Sequence, residues 1–174
     1  MAWTWEARSL ASTVRPLVGR WTGAVVALII SLSVFAADQG IKRFVEDAMR
    51  LGESLPAIPG ILSFTYIENT GGAFGVLGGS QVVLLIGSAL AVAVVLWMLF
   101  TGEPSKLTSA ACGLVLGGAA GNLLDRLSAG KVTDYLDLQF WPLQAWPIFN
   151  AADIAITTGV ALLLLSALRN PDKG

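Results

Sequence analysis

The sequence predicts an all-α membrane protein: four transmembrane helices, a short interfacial helix and a small outward-facing β-element. Two observations carry that prediction. The 174 residues are 55% hydrophobic and only 13% charged, whereas a soluble domain of this size carries about 25% charged residues. The apolar residues also gather into uncharged runs long enough to span a bilayer, near 21–37, 81–100, 107–124 and 150–168. One integral-membrane domain therefore covers 1–174, with an N-terminal arm at 1–20 and polar loops at 38–80 and 125–149.

The arm sets Arg8, Arg15 and Arg20 against a lone Glu6 before the first run opens at Trp21. Basic residues, an apolar run and small residues also describe a cleavable signal peptide, but three further apolar runs keep the membrane reading either way. In DQGIKRFVEDAMR, Ile41, Phe44, Val45 and Ala48 fall at helical spacing, which predicts an interfacial helix. Pro56, Pro59 and Gly60 break it, and ILSFTYI then has the β-branched and aromatic pattern of a strand ahead of the turn-rich NTGGAFG.

The second run, Gln81 to Phe100, is the clearest span, and the turn TGEPSK returns the third antiparallel beside it. In the third run Gly113, Gly117 and Gly121 recur every fourth residue, a face on which helix backbones approach closely. The fourth run ends at Leu168. The termini and the short turn hold Arg8, Arg15, Arg20, Lys106, Arg169 and Lys173, so the positive-inside preference places both termini in the cytoplasm and both polar loops outside.

What is missing narrows the chemistry. With no histidine, Ser-His and Cys-His pairs and most catalytic zinc sites are excluded. Cys112, the only cysteine, lies in an apolar run and reads as a buried, inert thiol. A net charge of −1 offers no basic surface for nucleic acid. Carboxylates remain. Asp38, Asp125, Asp134 and Asp153 each lie near the outer end of a span and so gather near one plane of the bilayer, where such groups are costly and mark function. Asp125 and Arg126 are adjacent and predict a mutually neutralising pair, or a contact with lipid phosphate. Spacing alone leaves Asp153 open as a helix-capping acid and Asp134 as an ordinary loop acid.

Two carboxylates held together in a low dielectric share one proton. The ionised member can draw a proton from water while the neutral member donates to a carbonyl, which hydrolyses a peptide without histidine or metal. The amides of Asn69, Asn122 and Asn150 can orient such a pair.

DQGIK at 38–42, NTGGAFG at 69–75, GGAAGNLLDR at 117–126, VTDY at 132–135 and FNAAD at 149–153 resemble, in order, the motifs of lipoprotein signal peptidase (signal peptidase II), a bacterial membrane aspartic protease family. The resemblance covers essentially everything after residue 20. It implies Asp134 and Asp153 as the catalytic pair. Asn69, Gly121, Asn122, Asp125, Arg126, Asn150 and Ala152 fall at supporting or substrate-lining positions, and Asp38 and Lys42 at a pair that serves integrity. It further implies four helices with an outward β-element in the bacterial inner membrane, and no metal or cofactor. The implied substrate is a prolipoprotein carrying diacylglycerol on the cysteine just after the cleavage point. The enzyme is expected to be monomeric, among membrane lipid. Gly72 stands where the family more often has Ala, and Tyr135 where Phe is common. Three rival readings stand beside it: a proton- or ion-coupled transporter using the clustered acids, a non-catalytic lipid-binding or assembly protein, and a Ser128–Lys131 hydrolase.

Overall fold

The computed structural model describes residues 3–71, 81–102 and 104–169, with side chains from residue 21 onward except at 81 and 84. Helix α1 (Trp3–Ala48) is a single helix of 46 residues. The sequence had divided this stretch into an arm, a span and a separate interfacial helix, and had placed a loop from residue 38. The structure joins them. No proline stands between Trp21 and Ala48, and isolated glycines at 23 and 40 cost a helix only about 1 kcal/mol each. Of the four apolar positions expected to share a face, Ile41, Phe44 and Ala48 are exposed, while Val45 turns inward with Asp38 and Lys42. In this end of α1 the polar side chains are the packed ones.

Strands β1 (Ser54–Ile58), β2 (Leu62–Asn69) and β3 (Val132–Leu138) form an antiparallel sheet in that order. β2 contains the ILSFTYI pattern. β1 falls where Pro56 had read as a breaker, and it tolerates that proline because it is an edge strand. Gly60, at φ 72°, makes the turn between β1 and β2. The β2–β3 register pairs Ile67 with Asp134 and Asn69 with Val132, so Asn69 arrives beside Asp134 across sixty-five residues of chain. Beneath the sheet, Val45 of α1 packs with Tyr66 and Tyr135.

Helix α3 (Lys106–Ala129) opens on Ser105, whose hydroxyl accepts the Thr108 N–H at 3.1 Å, and closes on Gly130 in the left-handed region. It is the central post, packed against α1, α2 (Gln81–Thr101) and α4 (Ala151–Arg169). A Cβ added at Gly113, Gly117 or Gly121 would come within 2.6 Å of Ala27 O, within 2.6 Å of Ser31 O, and within 2.5 Å of Asp38 Oδ2, respectively. The four-residue glycine repeat is thus the α1–α3 contact. On the opposite side Gly118 meets the Ala152 carbonyl and Gly159 meets Ala111 and Val115, which seats α4. Among the described residues three helical stretches are long and apolar enough to cross a membrane, Trp21–Ala48, Lys106–Ala129 and Ala151–Arg169. α2 is a further apolar helix, with a shorter apolar stretch at Leu85–Thr101.

Candidate active site

The first turn of α4 organises the site. A helix start leaves N–H groups without intrahelical partners, and here each finds one. Asn150 and Asp153 form a reciprocal cap: the Asp153 N–H donates to Asn150 Oδ1 at 3.0 Å, and the Asn150 N–H to Asp153 Oδ2 at 3.2 Å. The Ala152 N–H donates to Asp38 Oδ1 at 3.1 Å, and the Ala151 N–H to the Tyr135 hydroxyl at 3.1 Å. Asp153 is therefore a capping acid, as its position allowed, but only one of its oxygens is spent on the cap. The other, Oδ1, accepts from Asn122 Nδ2 at 2.9 Å.

Asp134 sits on β3, 2% exposed. Its Oδ1 accepts from Asn150 Nδ2 at 2.6 Å and its Oδ2 from Asn69 Nδ2 at 2.8 Å. Asn150 thus touches both acids: through its side chain it holds Asp134, and through its cap it holds Asp153. Burial pushes the Asp134 carboxyl up to about 7; the Asn69 and Asn150 donors work against that rise and the neighbouring Asp153 charge adds to it. A buried carboxyl with amide donors and a second acid beside it exchanges a proton near neutrality.

Behind the two acids lies a network centred on Lys42. Its ammonium contacts Asp38 Oδ2 at 2.7 Å, Asp125 Oδ2 at 2.6 Å and Asn122 Oδ1 at 2.9 Å. Gln39 adds a donor to Asp125 at 2.8 Å. The expected Asp125–Arg126 pair is corrected: adjacent residues on a helix point about 100° apart, so Asp125 turns to Lys42 and Arg126 turns elsewhere. Because Lys42 and Asn150 both donate to Asn122 Oδ1, the Asn122 amide has one orientation, with its Nδ2 aimed at Asp153.

Asn69, Asn122, Arg126, Asp134 and Asp153 line one side of a cavity of about 450 Å³, and Trp146, Ile148, Phe149, Ile154 and Ile156 line the apolar side. Arg126 projects into it with only a long hydrogen bond to the Asn122 carbonyl, at 3.4 Å, and no ion pair among the described residues. Gly121, Asp125, Asn150 and Ala152 stand behind the lining. Gly121 and Ala152 close around Asp38 and make no cavity wall. Residues 72–75 of NTGGAFG, Gly72 among them, fall outside the described residues, as does the glycine-bearing segment to residue 80. Ser128 and Lys131 are engaged separately, the hydroxyl with the Leu124 carbonyl and the ammonium with Glu68 at 2.6 Å.

Sequence reasoning missed Gln39 and the Tyr135 hydroxyl. Gln39 carried a readable signal, lying between Asp38 and Lys42 on a helix, but its partner is eighty-six residues away.

A family model described as Signal peptidase (SPase) II matches residues 30–169. The chain is 36% identical over 137 residues to the lipoprotein signal peptidase of Halothermothrix orenii, covering 79% of this chain and 91% of that one. It is 41% identical over 150 residues to that of Lactobacillus gasseri, covering 86% and 96%. Two solved structures, each described as a bacterial membrane enzyme, align at 28% identity with TM-scores of 0.75 and 0.73, covering 84% and 83% of this chain and 89% and 93% of theirs.

Proposed function

The chain belongs to the signal peptidase II family, and on that premise we propose that Asp134 and Asp153 are its catalytic dyad. The protein is a multi-pass membrane protease that removes signal peptides from prolipoproteins. The observation that carries the assignment is Asn150, which hydrogen-bonds both acids at the wall of one cavity.

Asp134 holds the shared proton near neutral pH because burial opposes its charge. The Asp153 carboxylate takes a proton from a water in the cavity as that water attacks the scissile carbonyl, and Asp134 donates its proton to the carbonyl oxygen. The tetrahedral diol then collapses: Asp153 returns its proton to the departing nitrogen and Asp134 recovers one from a diol hydroxyl, which restores the starting state. Arg126, which lines the cavity with no ion pair among the described residues, offers its donors to the substrate backbone. The apolar wall from Trp146 to Ile156 suits a lipidated peptide, with cleavage just before the diacylglyceryl cysteine.

All four apolar helices span the bacterial inner membrane with the termini cytoplasmic and the cavity near the outer face, and the enzyme acts as a monomer. The transporter reading is not supported, because the family match points to a peptidase and the acids meet at one end of the helices beside the sheet.

The test is cleavage of a diacylglyceryl-modified lipoprotein precursor by purified protein in detergent. Asp134→Asn and Asp153→Asn are each expected to lower the rate by about 10²–10⁴-fold while remaining folded. Wild-type turnover in either variant removes that residue from the dyad. A wild type that never cleaves while driving proton flux in liposomes reinstates the transporter.

A further inference from the structure

Asp134 and Asp153 sit on different elements, a strand and a helix, and their separation depends on how β3 is fastened to α4. Backbone hydrogen bonds tie β3 to Phe149, two residues before the helix: Tyr135 and Leu136 donate to the Phe149 carbonyl at 3.0 and 2.8 Å, and the Phe149 N–H donates to the Leu136 carbonyl at 3.1 Å. The helix itself is gripped by side chains. Of its first-turn N–H groups, one goes to its own cap and one to Asp38 on α1; only the Ala151 N–H reaches β3, through the Tyr135 hydroxyl at 3.1 Å.

We propose that the Tyr135 hydroxyl is a positioning group for the dyad, accepting the Ala151 N–H so that the first turn of α4, and the Asp153 carboxylate on it, is held in register with the neighbouring Asp134. The inference rests on the dyad assignment. Three features of the side chain support it. Tyr135 is 2% exposed and its ring packs against Val45 and Tyr66, so the hydroxyl is delivered by a fixed ring. It follows Asp134 directly, so side-chain alternation sends the acid to the cavity and the ring beneath α4. Burial pushes the phenol up to about 12, so it stays neutral wherever the dyad works and acts through geometry. A phenylalanine would fill the same volume and leave the Ala151 N–H without its acceptor.

A small displacement of a reacting group costs far more in turnover than in binding. Tyr135→Phe is therefore expected to lower kcat about tenfold with KM for the lipidated precursor within about twofold. The companion variant is Ala151→Pro. Proline at a helix's first position keeps the helical backbone and carries no N–H, so Tyr135→Phe/Ala151→Pro has neither partner and no orphaned donor. The double variant is expected to regain the thermal stability lost by Tyr135→Phe and yet keep the low kcat, because the Tyr135 link between β3 and α4 is still missing and only the Asn150 link remains. Two outcomes overturn the proposal: Tyr135→Phe turning over like wild type, or the double variant recovering kcat along with stability, which would make the bond merely structural. A wild-type protein that does not cleave at all refutes the dyad reading instead, so the two failures are distinguishable.

Discussion

Asp38 and Asp134 are both almost fully buried, at 0% and 2% exposure, and both accept hydrogen bonds from residues around the same helix start. Their difference is a cation. Asp38 has the Lys42 ammonium at 2.7 Å and a helix N–H on its other oxygen. Asp134 has two neutral amides and, among the described residues, no ion pair. A cation makes a buried carboxylate a fixture, since losing the charge would strand the partner. Amide donors alone hold a carboxyl in place and leave its proton free to exchange. The chain sets the two kinds side by side: one acid fastens α1, α3 and α4 together, and the other is the acid proposed to react.

The comparison breaks most readily at Lys42. Lys42→Met removes the only ammonium shared by Asp38, Asp125 and Asn122, and breaking one member of a buried pair costs about 3–5 kcal/mol. Thermal unfolding in detergent should register that loss directly. Asp38→Asn/Lys42→Met should recover part of it, because one of the two stranded charges is then gone. A Lys42→Met protein as stable as wild type would show that the fixture does not depend on the cation.

A smaller effect is expected at Gly121. An alanine there would put its Cβ 2.5 Å from Asp38 Oδ2, deep in the α1–α3 contact. Overpacking of this kind costs about 1–3 kcal/mol. Because Asp38 also caps Ala152, one residue before Asp153, Gly121→Ala should depress turnover along with stability. Gly40→Ala has open space and serves as the control.

Much of this arrangement was legible in the chain, for reasons that can be named. Uncharged runs betray membrane helices because hydrocarbon tolerates little else, and the glycine repeat at 113, 117 and 121 betrays a close helix contact because only glycine permits it. Asn69, Asn122, Asn150, Asp134 and Asp153 were all singled out, and the structure brings them together. What failed depended on direction. Asp125 and Arg126 looked like partners because they are neighbours in sequence, yet a helix sends neighbours apart. Ile41, Phe44, Val45 and Ala48 looked like one apolar face because of their spacing, but Val45 turns inward with Asp38 and Lys42 while the other three are exposed. The partners of the Tyr135 hydroxyl and Gln39 were invisible because they lie in other elements, and no local pattern encodes that.

The smallest expected effect tests the reactive side of the comparison. The Asn69 amide donates to Asp134 Oδ2 at 2.8 Å and so favours the ionised carboxylate, against the larger opposing effect of burial. With the Asp134 carboxyl at about 7 in the folded protein against 3.8 for the free group, the native state binds an extra proton between those values. Its contribution to stability is full below about 4 and is lost as pH rises through about 7. If Asp134 is the proton donor, cleavage should fall on the same alkaline limb. Asn69→Ala removes a donor to the charged form, so the proton is held to higher pH and the limb should move upward, while one lost hydrogen bond of about 1.5 kcal/mol keeps the rate change at neutral pH near tenfold or less. Rate–pH profiles of the two proteins decide the matter. A limb that moves down, or stays where it is, would mean that Asp134 is not the group whose proton the reaction uses.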